Sequence, residues 1–184
     1  IFIIGFVTGI SISEYGANNN WYSFSVETDK INVCFTPPAG CGTLIAQEVD
    51  KARNTILVQA YGLTSKIIID ALKKAHDRGV KVRILIDGGK LSNNSKYFHD
   101  IKAHGIDIYY DIMPGIAHNK IIIIDKRKII TGSFNFTTSA DNRNSENVVF
   151  IDDPNIADLY IQNWLKRYSI AKHKKINQEQ TFKS

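Results

Sequence analysis

A chain of 184 residues, 43% of them hydrophobic, can bury one sizeable core and leaves no room for a second catalytic domain. Lysine and arginine outnumber aspartate and glutamate by 23 to 18, and the formal charge of +5 favours polyanions such as nucleic acid or anionic lipid without choosing between them.

Ile1 to Ile12 read IFIIGFVTGISI, an uncharged apolar run shorter than the roughly 20 residues of a membrane-spanning helix. Residues 1–13 therefore suit the h-region of a signal peptide or an anchor, although no lysine or arginine precedes them; a buried strand is the alternative. Residues 14–30 are polar, include Asn18, Asn19 and Asn20, and follow neither helical nor strand period, so they read as a linker. A single domain then spans residues 31–170, opening with the strand INVCF. Cys34 and Cys41 are the only cysteines and bracket the turn-rich FTPPAG. Two thiols closing so short a loop point to a disulfide made in an oxidising compartment, hence to a secreted or periplasmic protein. Two reduced thiols remain the alternative, because spacing alone does not set Cβ geometry.

Thr43 predicts the N-cap of a helix carrying Leu44, Ile45, Val49 and Ala52, and TILVQAY (Thr55 to Tyr61) follows as a buried strand. Thr64 or Ser65 caps a second helix with Ile67, Ile68, Ala71, Leu72 and Ala75 on one face, stopped by Gly79. VKVRILID is a strand, Asn93 to His104 a polar helix stopped by Gly105, and IDIYY a further strand ahead of the loop DIMPGIA. Ile121 to Ile124 fill both faces of the next strand, which marks it as central and buried. Asp125, Lys126, Arg127 and Lys128 turn the chain back into IIT, and NVVFI is another strand. Asp153 and Pro154 open a helix with Ile156, Leu159, Tyr160 and Trp164, and residues 171–184 read as a polar basic tail. This rhythm predicts an α/β domain with a mixed, partly parallel β-sheet sandwiched between helices.

The chemistry concentrates in HNKIIIIDKRKIITGSFN. Residues two apart in a strand share a face, so His118 and Lys120 point to one spot. After the hairpin, Gly132 allows a tight backbone path, and Ser133 and Asn135 are again two apart. An imidazole, an ammonium, a hydroxyl and an amide can then meet on one phosphate-sized volume, the lysine neutralising a phosphodiester while serine and asparagine donate hydrogen bonds to it. An attacking histidine needs its second ring nitrogen engaged, and Glu146 is the best candidate to orient it.

His118-x-Lys120-x4-Asp125-x6-Gly132-Ser133-x-Asn135 matches without departure the HKD signature of the phospholipase D superfamily. The wider run from Ala117 to Ile151 resembles the small one-motif bacterial endonucleases of that superfamily, including the glutamate after the motif, and the stretch from Thr55 to Asp87 resembles their preceding strand-helix-strand. The resemblance covers about residues 31 to 168; CFTPPAG and the bias to isoleucine, asparagine and lysine further resemble nuclease-like phospholipase D proteins of intracellular bacteria. It implies a phospholipase D/nuclease-like fold, His118 as a nucleophile forming a phosphohistidine, Lys120, Ser133 and Asn135 as phosphate ligands, and Glu146 as the partner of His118. Asp125 belongs to the implied catalytic set, or else ties down the hairpin.

Such cleavage needs two histidines, one attacking phosphorus and one protonating the leaving oxygen. His76, His99, His104 and His173 lie in helical or tail contexts without an accompanying lysine and read as solvated. A homodimer would supply the second His118, and the scheme calls for no metal and no cofactor. Lys90, Lys96, Lys102, Lys126, Arg127 and Lys128 could track a nucleic-acid backbone, and no long amphipathic lipid-docking stretch is evident. The sequence thus favours a metal-independent endonuclease over a phospholipase D hydrolysing phospholipid head groups, and both over a non-catalytic nucleic-acid-binding dimer.

Overall fold

The structure, a computed structural model, describes residues 30–38, 40–90 and 95–181. The apolar run and all of the linker except Lys30 lie outside the described residues. Seven strands form one sheet: β1 (Ile31–Thr36), β2 (Thr55–Ala60), β3 (Lys81–Asp87), β4 (Asp107–Asp111), β5 (Lys120–Ile124), β6 (Lys128–Gly132) and β7 (Glu146–Asp152), in the order β1-β7-β6-β5-β2-β3-β4. β2, β3 and β4 run parallel, joined by α2 (Lys66–Asp77) and α3 (Ser95–Ala103), while β5, β6, β7 and β1 pair antiparallel. The expected mixed α/β sheet is the observed one.

The isoleucine run explains why the sheet needs two covers. Ile122 and Ile124 belong to the larger core with Ile45, Val58, Ile68, Leu72 and Ile84, under α1 (Cys41–Asp50) and α2. Ile121 and Ile123 face the other way, into a smaller core with Leu85, Ala157 and Trp164 of α5 (Pro154–Thr181). Every residue of β5 is buried, so its sequence shows no alternation. Trp164 is fully buried and donates its indole N–H to Val58 O at 3.0 Å, which fixes the rotation of α5 against the sheet.

That anchoring shifts the predicted helix faces. On α5 the buried stripe is Ala157, Trp164 and Ala171, flanked by Ile161 and Tyr168, whereas the expected Ile156 and Leu159 are exposed. On α2, Ile69 is buried and Ile67 exposed. The helix α1 starts at Cys41 with Gly40, not Thr43, as its N-cap, and Leu44 is exposed. Asp141 from α4 (Thr138–Asn142) serves that terminus, its Oδ1 accepting from the amides of Gly40 at 3.0 Å and Gly42 at 3.1 Å. A cap delivered from a hundred residues away leaves no local signal. Asp153 opens α5 as expected, accepting from the amides of Asn155 and Ile156, and the helix continues to Thr181 through most of the segment read as a tail.

Cys34 of β1 and Cys41 of α1 form the expected disulfide, with Cα atoms 5.8 Å apart. Among the described residues no helix is long and apolar enough to cross a membrane.

Candidate active site

His118 lies just ahead of β5, exposed, with its ring against that of Tyr61 at a centroid distance of 4.6 Å and an interplanar angle of 72°. Tyr61 follows β2, and its amide donates to Asn119 O at 2.9 Å, continuing the β2–β5 ladder into the site. Lys120, two residues on, shares the side of β5 that carries Ile122 and Ile124. It is only 7% exposed; its Nζ donates to His118 O at 2.8 Å and stands 5.5 Å from the centre of the Tyr61 ring. Burial lowers the Lys120 pKa below the ordinary lysine value, and the negative charge of Glu146 offsets only part of this.

The second half of the site depends on Gly132. Its φ of +145° is one that side-chain-bearing residues rarely adopt, and a Cβ there would stand 2.2 Å from Asn147 O. That carbonyl instead accepts from the amides of Ser133 at 3.1 Å and Phe134 at 3.3 Å, which turns the chain out of β6 against the start of β7. Ser133 Oγ donates to Glu146 Oε2 at 2.5 Å and accepts from Asn147 N at 3.0 Å. Asn144 Nδ2 donates to the other oxygen of Glu146 at 2.9 Å. Within one chain, therefore, Glu146 orders Ser133 and acts on Lys120 through its charge; the hydrogen bond expected between Glu146 and His118 is not formed. Asn135 lies beside the turn after β2, where a Cβ on Gly62 would reach its Cβ at 3.9 Å, and its buried Oδ1 has no hydrogen-bond partner among the described residues.

Asp125 is not part of this cluster. Seven extended residues at about 3.3 Å each put it roughly 20 Å from His118, at the far end of β5. There its carboxylate accepts from the amides of Arg53, Asn54 and Thr55, each at 2.8 Å. Burial alone would raise its pKa, but these three donors outweigh that and hold it below the usual aspartate value. Within one chain, Asp125 thus ties the hairpin to the loop ahead of β2.

Three of the six cations read as a nucleic-acid track sit at that same far end. Arg127 Nε pairs with Asp152 at 2.5 Å and Lys128 Nζ with Glu48 at 2.5 Å, next to Lys126 in the turn. Lys102 donates to the Tyr110 hydroxyl at 2.9 Å, Lys96 lies over the Tyr97 ring, and the side chain of Lys90 falls outside the described residues. Of the remaining histidines, His104 pairs with Asp77 at 2.8 Å and neighbours His76, far along the chain from the cluster.

Two contributors escaped the sequence reading. Tyr61 and Asp87 were visible only as the last residues of apolar strands, yet Tyr61 contacts both His118 and Lys120, and buried Asp87 binds the amide of Ala117 at 2.5 Å. The assembled site presents an exposed imidazole beside a buried ammonium, with a hydroxyl and an amide nearby, which is the equipment for attack on an anionic phosphorus centre.

Known proteins agree with this chemistry. Residues 45–168 match the family described as cardiolipin synthase, PLD-like domain. A phospholipase D of Rickettsia conorii is 44% identical over 184 residues, covering 89% of this chain and 92% of the relative, and one of Rickettsia prowazekii is 49% identical over 158 residues, covering 85% and 77%. The crystal structure of a phospholipase D family member, Nuc from Salmonella typhimurium, superposes with a TM-score of 0.72 at 34% identity, covering 76% of this chain and 93% of that one. Motif, fold and near full-length relatives agree, and the chain belongs to the phospholipase D superfamily of phosphodiesterases.

Proposed function

We propose that the protein hydrolyses the phosphodiester of phospholipid head groups, releasing the head-group alcohol and leaving phosphatidic acid. An imidazole nitrogen of His118 attacks phosphorus, forming the N–P bond as the P–O bond to the alcohol breaks. A second His118, from the partner in a homodimer, protonates the leaving oxygen and then takes a proton from the water that hydrolyses the phosphohistidine, which frees the first imidazole. Lys120 balances the charge of the phosphoryl oxygens, while the Asn135 amide and, once its proton turns from Glu146 to substrate, the Ser133 hydroxyl donate hydrogen bonds to them. These groups supply the electrostatic stabilisation, so EDTA should leave the rate unchanged.

The observation that carries the lipid over the nucleic-acid substrate is the approach to His118. Residues 112–116, IMPGI, are uncharged and all exposed, with Ile112 at 40%, Met113 at 41% and Ile116 at 57%. An exposed apolar stretch running into the nucleophile, with Arg167 against Met113, suits an acyl boundary bearing an anionic head group, and three of the six cations that spoke for nucleic acid lie at the far end of the hairpin. The Rickettsia relatives bear the name phospholipase D. The net charge of +5 favours the second reading, an endonuclease. The Cys34–Cys41 disulfide supports action in an oxidising compartment, secreted or periplasmic.

The test is to incubate purified protein, with EDTA present, with phosphatidylcholine vesicles, plasmid DNA, single-stranded DNA and RNA. Choline release with phosphatidic acid formation is expected. Cleavage of nucleic acid without choline release would replace the lipid reading by the nuclease, and no cleavage in any arm would remove both.

A further inference from the structure

His118 stands between two backbone anchors. On its C-terminal side, Asn119 O accepts from the Tyr61 amide at 2.9 Å, a continuation of strand pairing. On its N-terminal side there is no strand, because the chain arrives from the exposed loop 112–116. What holds it is Asp87, the last residue of β3, whose Oδ2 accepts from the Ala117 amide at 2.5 Å. The other oxygen accepts from the Gly89 amide at 2.9 Å, and a Cβ on Gly89 would come within 3.0 Å of it, so the chain after β3 folds tightly round the carboxylate. Asp87 is 3% exposed and Ala117 is 4% exposed, so this anchor is shielded from water, where a charged acceptor binds an amide most strongly.

We propose that Asp87 is a positioning residue for His118, a carboxylate that reaches across the end of β2 to fix the backbone immediately before the nucleophile. The proposal rests on His118 being the nucleophile. With both anchors in place the imidazole is presented at one depth and one angle, against the Tyr61 ring and beside Lys120. Without Asp87 the loop loses its tether at Ala117, the residue next to the nucleophile, and is held only further back, where Arg167 meets Met113. Misplacement of a reacting group by about 1 Å costs on the order of 100-fold in rate, which is the size of effect such an anchor controls.

Asp87→Ala and Asp87→Asn should therefore lower kcat while leaving KM within about twofold, since no phosphate contact is removed. The alanine variant is expected to fall on the order of 100-fold. The asparagine variant, which keeps one acceptor oxygen for Ala117, should fall less. NMR provides a readout that needs no turnover: the His118 ring resonance, identified by its loss in His118→Asn, should broaden or split in Asp87→Asn. A purely structural Asp87 would lower Tm yet leave kcat per folded molecule and the His118 ring signal as in the wild type, and that result overturns the proposal. If the alanine variant fails to fold, Asp87→Asn decides alone. A wild type inactive on every phosphodiester would defeat the functional reading; the ring signal would still decide whether Asp87 positions His118, an unchanged signal sinking it.

Discussion

His118 is exposed and Lys120, two residues away, is buried, and the difference assigns their work. An exposed imidazole can reach phosphorus; a buried ammonium gives a fixed charge in a low-dielectric pocket, where it acts strongly on an anion. His118→Ala and His118→Asn should each abolish hydrolysis, a loss of at least about 1,000-fold in kcat, with Tm close to wild type because the side chain is exposed and its ring contact is the edge-on one with Tyr61. Turnover near the wild-type rate would exclude the phosphohistidine route. Lys120 adds a pH signature. Its lowered pKa means that the ammonium is lost as pH rises through a value below 10.5, so KM for an anionic substrate should climb on the alkaline side earlier than for an ordinary lysine. Lys120→Met should show a raised KM at neutral pH with no further alkaline rise; a rise surviving in that variant would assign it to another group. The same shift has the opposite sign for folding: burying the charged form costs stability below the folded pKa, and the cost is relieved as pH rises through it.

The β5–β6 hairpin shows how one element keeps its two ends chemically distinct. Its turn carries positive φ at Asp125 and Lys126, the primed geometry that matches strand twist, although neither residue is glycine. Asp125 stabilises that turn by binding the loop between α1 and β2, and three amides are left without their acceptor if it goes. Asp125→Ala should cost about 2 kcal/mol of stability in a denaturant titration while kcat per folded molecule holds. Because the folded pKa is depressed, this contribution is fully present above the ordinary value of 3.8 and is lost as pH falls through the lower folded value. A collapse of kcat in fully folded Asp125→Ala would return the residue to the catalytic set.

For the whole molecule, two features reach beyond the sheet. The disulfide closes a short loop between the edge strand β1 and α1, and by chain entropy its removal in Cys34→Ser/Cys41→Ser should cost about 2.5 kcal/mol. Unchanged stability on reduction of the wild type would contradict that. The larger matter is the second imidazole, for among the described residues no other histidine lies in the cluster around Lys120. If two subunits share one site on a two-fold axis, wild-type chains diluted into an excess of exchanging His118→Asn chains should lose activity per wild-type chain steeply towards zero. Retention of full activity, or an active monomer by light scattering, would mean that each chain works alone.

The sequence by itself determined the mixed sheet, the central buried strand and the pairing of His118 with Lys120, because each leaves a local mark, whereas the state of the two cysteines and the partner of Glu146 waited for the fold. Strand period places His118 and Lys120 on one face, a four-isoleucine run betrays a strand covered twice, and Gly132 is the residue that its φ demands. Only the tertiary structure decided which helix faces are buried, since the phase of α5 follows from where Trp164 meets Val58. It also decided the partners of carboxylates whose contacts are remote in sequence. Asp141 caps α1 from the other end of the chain, Asp125 ties a loop seventy residues back, and Asp87 anchors the amide before His118 across thirty residues. A carboxylate in a sequence shows only that it can accept hydrogen bonds; the donor is chosen by the fold that brings a backbone amide within 3 Å of it.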